Sequence, residues 1–143
     1  MAGYVTEGQI IVCVAKGIEE DTLMTISDVT EQEIPCADVA VIPSVREGFG
    51  MTGVEALASG VPVVGSDVQG IREYVIPGKT GYLCDPYDAH QFADAIEKIV
   101  NLPSEERAKM VIACKEKAKE FDVSKSIAAM KNIYQEVLCH DGK

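Results

Sequence analysis

The chain has 143 residues, the size of one domain. It is 47% hydrophobic and 25% charged, a globular composition that excludes global disorder. Thirteen basic against 23 acidic residues leave a net charge of −10, which removes any general attraction for nucleic acid or anionic lipid. No apolar stretch approaches the ~20 residues of a membrane span. The start, Met1 to Glu7, has no basic segment followed by an apolar one, so no signal peptide is expected. Cys13, Cys36, Cys84, Cys114 and Cys139 are odd in number, far apart and without a C-x-x-C pair. They point to reduced thiols of a cytosol, each a small core hydrophobe, rather than to disulfides or a zinc knuckle. His90 and His140 stand alone and read as surface or cap residues.

Residues 10–15, Ile-Ile-Val-Cys-Val-Ala, read as a buried parallel strand. A short strand over 22–26 and a brief helix over 31–37 follow, the helix set against Pro35. Residues 38–42 are the next strand, stopped by Pro43-Ser44. A helix over 52–59 ends at Gly60, and a strand over 61–64 carries Pro62 near its start. Residues 71–75 form a helical turn, 77–81 a tight turn and 82–84 a last strand. Helical periodicity then takes over. Ala89–Val100 has apolar residues at Phe92, Ala95, Ile96, Ile99 and Val100, with Asp88 as N-cap. A second helix opens at Pro103-Ser104 and runs to about Phe121. A third opens at Asp122 or Ser124, with Ile127, Met130, Ile133, Tyr134, Val137 and Leu138 on one stripe. Strands alternating with helices, then helices alone, predict an α/β fold: a Rossmann-like parallel sheet with flanking helices and a helical C-terminal tail.

The chemistry concentrates in Pro43–Val64, where a glycine-rich loop lies between a strand and a helix. Backbone N–H groups there can close on an anion, and the helix start adds positive potential. Gly48, Gly50 and Gly53 satisfy G-x-G-x-x-G, with Asp67 about twenty residues on. Against a dinucleotide site, five residues separate strand and glycines, and Glu47 sets a repelling carboxylate beside the pyrophosphate. The alternative uses the carboxylates: Glu47 and Glu55 straddle the loop with E-x7-E spacing and can accept hydrogen bonds from sugar hydroxyls. Glu55 falls in the first helical turn on this reading. Thr52 to Glu55 is also a capping box. Asp67 and Glu73 read as loop-fixing acids, Arg46 and Lys79 as solvated, and Tyr82, Tyr87 and Tyr134 as packing.

Glu47-Gly48-Phe49-Gly50, then Glu55-Ala56-Leu57-Ala58, then Gly60-Val61-Pro62-Val63-Val64 resemble the donor-site signature of retaining glycosyltransferases with the GT-B fold. These are the group 1, or family 4, enzymes of sucrose-synthase-like and capsular or lipopolysaccharide type. Pro43-Ser44, Ser66-Asp67, Gly70 with Glu73, Gly78–Leu83 and Asp85-Pro86 with Asp88 fit the same pattern. The likeness runs from about Ala37 to Leu138. It implies that Glu47, Gly48, Phe49 and Gly50 line the hexose, and that amides at Met51 and Thr52 meet the diphosphate. Glu55 would take the ribose hydroxyls. Glu47 is the implied catalytic residue, orienting and polarising the sugar. The resemblance implies a nucleotide-diphosphate sugar as donor substrate, with no cofactor and no metal.

The resemblance also implies what the chain omits. Such enzymes close their site between two Rossmann-like domains, and the acceptor domain is expected to be missing here or supplied by a partner subunit. Residues 1–36 read as a shortened, divergent start, and 37–143 as the nucleotide-sugar-binding core with its C-terminal helices. The glycine–arginine turn and lysine that clamp the diphosphate in the family find no match; Lys16-Gly17 lies too near Glu47. Weak donor binding and little or no transfer by the chain alone are the expectation. So are a cytoplasmic location, peripheral to the inner membrane face through the full enzyme, and self-association through a bare cleft face.

Overall fold

The structure, a computed structural model, describes residues 37–140, with side chains to 138. The expected strands over 10–15 and 22–26, the helix over 31–37 except its last residue, Cys13, Cys36, and the side chains of Cys139 and His140 lie outside the described residues. Three parallel strands form the sheet: β1 Ala40–Ile42, β2 Val63–Ser66 and β3 Gly81–Cys84, in that order. Ala40 pairs with Val63 and Val63 with Gly81, and the register continues to Ser66 opposite Cys84. All four residues of β2 are buried, since the strand has a neighbour on each edge and cover on each face. The helices are α1 Met51–Ala58, α2 Gln69–Arg72, α3 Ala89–Val100, α4 Ser104–Ala118 and α5 Val123–His140, with a 3-10 turn Lys119–Phe121 between the last two.

The strand expected at 61–64 begins two residues later. The Val61 N–H instead closes the end of α1 on the Ala56 carbonyl at 2.9 Å. Pro62 has no N–H and offers only its carbonyl, which accepts from Ala40 N–H at 2.9 Å. The strand expected at 38–42 begins at Ala40, where the pairing with β2 starts, and Asp38 before it forms an ion pair with Arg107 of α4. The helix expected over 71–75 is α2 at 69–72 followed by a turn in which Tyr74 and Val75 N–H groups both donate to Ile71. The helix expected to reach Phe121 ends as an α-helix at Ala118 and tightens into the 3-10 turn.

Capping follows the sequence closely. One Asp88 carboxylate oxygen accepts from His90 N–H at 3.0 Å and Gln91 N–H at 3.2 Å. The Gln91 N–H above all holds that carboxyl below its ordinary range. Gly60, with φ +85°, ends α1 in the left-handed conformation. A Cβ there would lie 2.8 Å from Lys115 Cε and 2.9 Å from Val111 Cγ1, so the glycine also lets α1 approach α4.

The core gathers Val54 and Leu57 of α1, Val63 and Val64 of β2, Ile71, Tyr74, Phe92, Ala95 and Ile99 of α3, and Met110 and Cys114 of α4. Tyr74, Leu57, Ile71 and Ile99 are fully buried, and each such side chain contributes about 1.5–3 kcal/mol by leaving water. Cys84 and Cys114 are buried, as small core groups are expected to be. Burial raises both thiols, Cys114 to about 12, so neither offers a thiolate. Tyr87 and Tyr134 do not pack as expected; they are 81% and 62% exposed. Tyr82 is half-buried with Lys98 Nζ 5.8 Å from its ring centre. No described helix is long and apolar enough to cross a membrane.

Candidate functional site

The site begins where β1 ends. Residues 43–50 leave the carboxyl end of the sheet as a loop, and α1 starts at Met51. The residue before it, Gly50, sits at φ 79° and ψ 59° and carries no side-chain cap. Glycine alone adopts this conformation without steric cost. The Gly53 N–H folds back on the Gly50 carbonyl at 2.9 Å. Met51 and Thr52 supply first-turn amides of the kind a helix cannot bond internally. No acidic residue occupies the first turn, so the positive end of the helix is not neutralised from within it.

Glu47 precedes this helix start, half-buried, and Glu55 is its fifth residue, also half-buried. Two sequence expectations change as a result. Glu55 lies in the second turn, not the first. Thr52 is the second helical residue rather than the N-cap, so Thr52 and Glu55 do not form a capping box, which needs its hydroxyl at the N-cap. Gly48 is exposed, Phe49 half-buried, Gly50 buried, Met51 exposed and Thr52 half-buried. The loop and the first two turns thus hold all seven predicted residues, with Glu47 before the helix start and Glu55 after it.

The floor under this stretch comes from Gly70, which the sequence singled out only as part of the family pattern, and from Tyr74 and Phe121, which it did not. A Cβ on Gly70 would lie 2.5 Å from the Gly48 carbonyl oxygen and 2.7 Å from Phe49 Cα. Gly70 is therefore the residue that lets the loop after β2 touch the loop after β1, backbone to backbone. Tyr74 lies below α1: a Cβ on Gly53 would meet its ring carbons at 2.5 and 2.6 Å. Phe49, Tyr74 and Phe121 form an edge-on aromatic triangle, with centroids 6.1, 5.3 and 6.5 Å apart. No sequence spacing marks this triangle. Its one legible hint is the pair of glycines at 50 and 53, which leave room for a ring.

Asp67 leaves the carboxyl end of β2 and pairs with Arg72 at 2.5 Å. The Arg72 guanidinium lowers the Asp67 carboxyl, and Asp67 raises Arg72. Asp67 N–H also donates to the Cys84 carbonyl at 2.7 Å. Asp67 thus fixes a loop, as expected, rather than standing ready as a ribose acid. Glu73 is exposed at the end of α2, and Arg46 is exposed on the loop. Among the described residues no group of three or more His, Cys, Asp or Glu could hold a metal ion.

Three parallel strands with flanking helices and a glycine-rich loop at the carboxyl edge define the class as an α/β, Rossmann-like fold. The model of the glycosyl transferases group 1 family matches residues 18–120, and the chain belongs to that family. It is 35% identical over 111 residues to D-inositol 3-phosphate glycosyltransferase of Corynebacterium diphtheriae, covering 73% of this chain and 26% of that protein. Its fold matches sucrose-phosphate synthase from Thermosynechococcus elongatus with a TM-score of 0.67 and 34% identity, over 73% of this chain and 26% of that one. It matches Anabaena HepE, solved in complex with UDP, with a TM-score of 0.66 and 25% identity, over 73% of this chain and 30% of that one. The sheet with its flanking helices is thus part of a GT-B fold. A separate likeness is short: 52 residues are 75% identical to glycerol-3-phosphate dehydrogenase of Agathobacter rectalis, covering 35% of this chain and 16% of that protein. The chain spans 30% or less of the length of each of these relatives.

Proposed function

We propose that the chain is the nucleotide-sugar-binding part of a retaining glycosyltransferase serving polysaccharide, capsule or glycolipid synthesis. The observation that carries this reading is the left-handed Gly50 opening α1 at the carboxyl end of β1, with no acid in the first turn. Amides at Met51 and Thr52 receive the diphosphate, and helix-start N–H groups stabilise the leaving nucleoside diphosphate. Gly48, Phe49 and Gly50 line the hexose. Glu47 orients and polarises it, and Glu55 takes the ribose hydroxyls. A nucleotide-diphosphate sugar is the donor; no cofactor and no metal enters the scheme. The location is cytoplasmic, and the acceptor side comes from a domain or partner subunit not contained in this chain.

These 143 residues offer no match to the arginine and lysine that the family resemblance implies as a diphosphate clamp, whose charge-assisted bonds contribute about 1.5–3 kcal/mol each. Donor affinity therefore falls about a hundredfold or more below that of a complete site. The test is calorimetric titration with UDP, GDP, ADP and UDP-linked sugars, repeated with Glu55→Ala. Saturable binding of one nucleotide, weakened in the variant while its melting temperature holds, supports the reading. Absence of binding up to millimolar ligand removes it.

A further inference from the structure

Tyr74 is fully buried, and its hydroxyl has no hydrogen-bond partner among the described residues. An unpaired buried hydroxyl is destabilising, and native proteins keep few of them. Ring packing does not account for it, since a phenylalanine would fill the same triangle with Phe49 and Phe121. The hydroxyl points at the glycine loop. A Cβ on Gly50 would lie 2.7 Å from the Tyr74 oxygen and 3.0 and 3.5 Å from Cγ and Cδ of Glu47. The phenol and the carboxylate thus flank the same glycine. Burial first, and the Glu47 charge second, push the phenol pKa up, so the group remains a protonated donor.

The tyrosine is anchored, and the loop already rests on its floor at Gly48 and Phe49. The Thr80 hydroxyl donates to the Tyr74 carbonyl at 3.0 Å and accepts from Ile76 N–H at 2.7 Å, pinning the chain on both sides of Val75. Phe49 and Phe121 hold the ring from the side. The group left to turn between the two is the Glu47 side chain, which lies against Gly50 from the other side.

We propose that Tyr74 is a positioning residue for Glu47: its hydroxyl donates to the Glu47 carboxylate when a bound nucleotide sugar turns that side chain across Gly50. The free protein holds the donor unpaired, and ligand binding pairs it. This rests on the donor-site reading above. No covalent bond changes; the O–H hydrogen is shared with a Glu47 oxygen, which fixes the carboxylate toward the sugar.

The test pairs thermal melting with titration of UDP-glucose, with GDP-mannose and ADP-glucose run in parallel, on the whole chain. Tyr74→Phe is expected to melt about 3 °C or more higher without ligand, yet to bind the donor about tenfold more weakly. A purely structural hydroxyl does not move these two quantities in opposite senses. In a Glu47→Ala background, Tyr74→Phe should change binding less than twofold, since the acceptor is gone. The tyrosine ultraviolet difference spectrum on donor binding should lose a component in Tyr74→Phe. A Tyr74→Phe chain that melts no higher overturns the proposal, as does one that binds like the unaltered chain. In both cases the donor reading stands if the unaltered chain binds. Failure of the unaltered chain to bind any of the three removes the donor reading and this inference with it.

Discussion

Helices α3 and α5 start from the same local chemistry and end in opposite environments. Asp88 accepts from two amides at the start of α3, and Asp122 accepts from Ser124 N–H at 2.8 Å at the start of α5. Each helix carries an apolar stripe. That of α3 is buried on the sheet, with Phe92, Ala95 and Ile99 at 8%, 5% and 0% exposure. That of α5 faces solvent, with Ile127, Met130, Tyr134 and Val137 at 47%, 53%, 62% and 54%. Every described side chain of α5 is exposed. Periodicity therefore states that a face is apolar, and not whether this chain covers it. A helix of this length without cover from the rest of the described residues is marginal in water, so among them the packed unit is the sheet with α1 to α4.

The largest break in that unit is expected at Gly70. Gly70→Ala forces a Cβ against the Gly48 and Phe49 backbone, neither of which can swing aside as a side chain does. About 3 kcal/mol of stability should be lost, read as a lower urea midpoint at unchanged slope. Removing the two caps sharpens the comparison further. Asp88→Ala should lower the melting temperature, because α3 is part of the core. Asp122→Ala should reduce the far-ultraviolet helical signal while leaving the cooperative midpoint in place.

The pH dependence of the caps follows from their depressed carboxyls. A carboxyl lowered on folding contributes stability above its unfolded pKa of about 3.9 and loses it as pH falls through the lower folded value. The deficit of Asp88→Ala should therefore be full at pH 7 and vanish in strong acid, as melts across that range would record. The smallest effect is expected on α5 itself. Ile127→Ser and Tyr134→Ser should move the midpoint by no more than about 0.5 kcal/mol. A large loss from either would mean that the stripe is covered in solution and that the contrast between the helices is false.

Much of this was legible in the sequence, for local reasons. The Asp88 cap, the Gly60 stop, the helix over 89–100 and the glycine loop after a strand all depend on residues within a few positions of one another. Errors fell where one local signal competed with another only a few residues away. Pro62 reads as part of a strand because the run Val61–Val64 is apolar throughout, but the end of α1 takes up Val61. Thr52 and Glu55 have capping-box spacing, but the left-handed Gly50 moves the helix start one residue earlier than expected and leaves Thr52 inside.

By itself the sequence determined the α/β alternation, the glycine loop with its flanking glutamates, and the family pattern that these residues spell. Backbone propensity, capping and periodicity act over a turn or two, and a sequence displays that range directly. Tertiary structure alone decided that Gly70 supports the loop, that the Tyr74 hydroxyl lies unpaired below Gly50 and Gly53, and that the apolar stripe of α5 meets no part of the described fold. Each depends on how closely segments far apart in the chain approach. That is fixed by packing volume and by the hydrogen bonds burial leaves unmade, which no local pattern encodes.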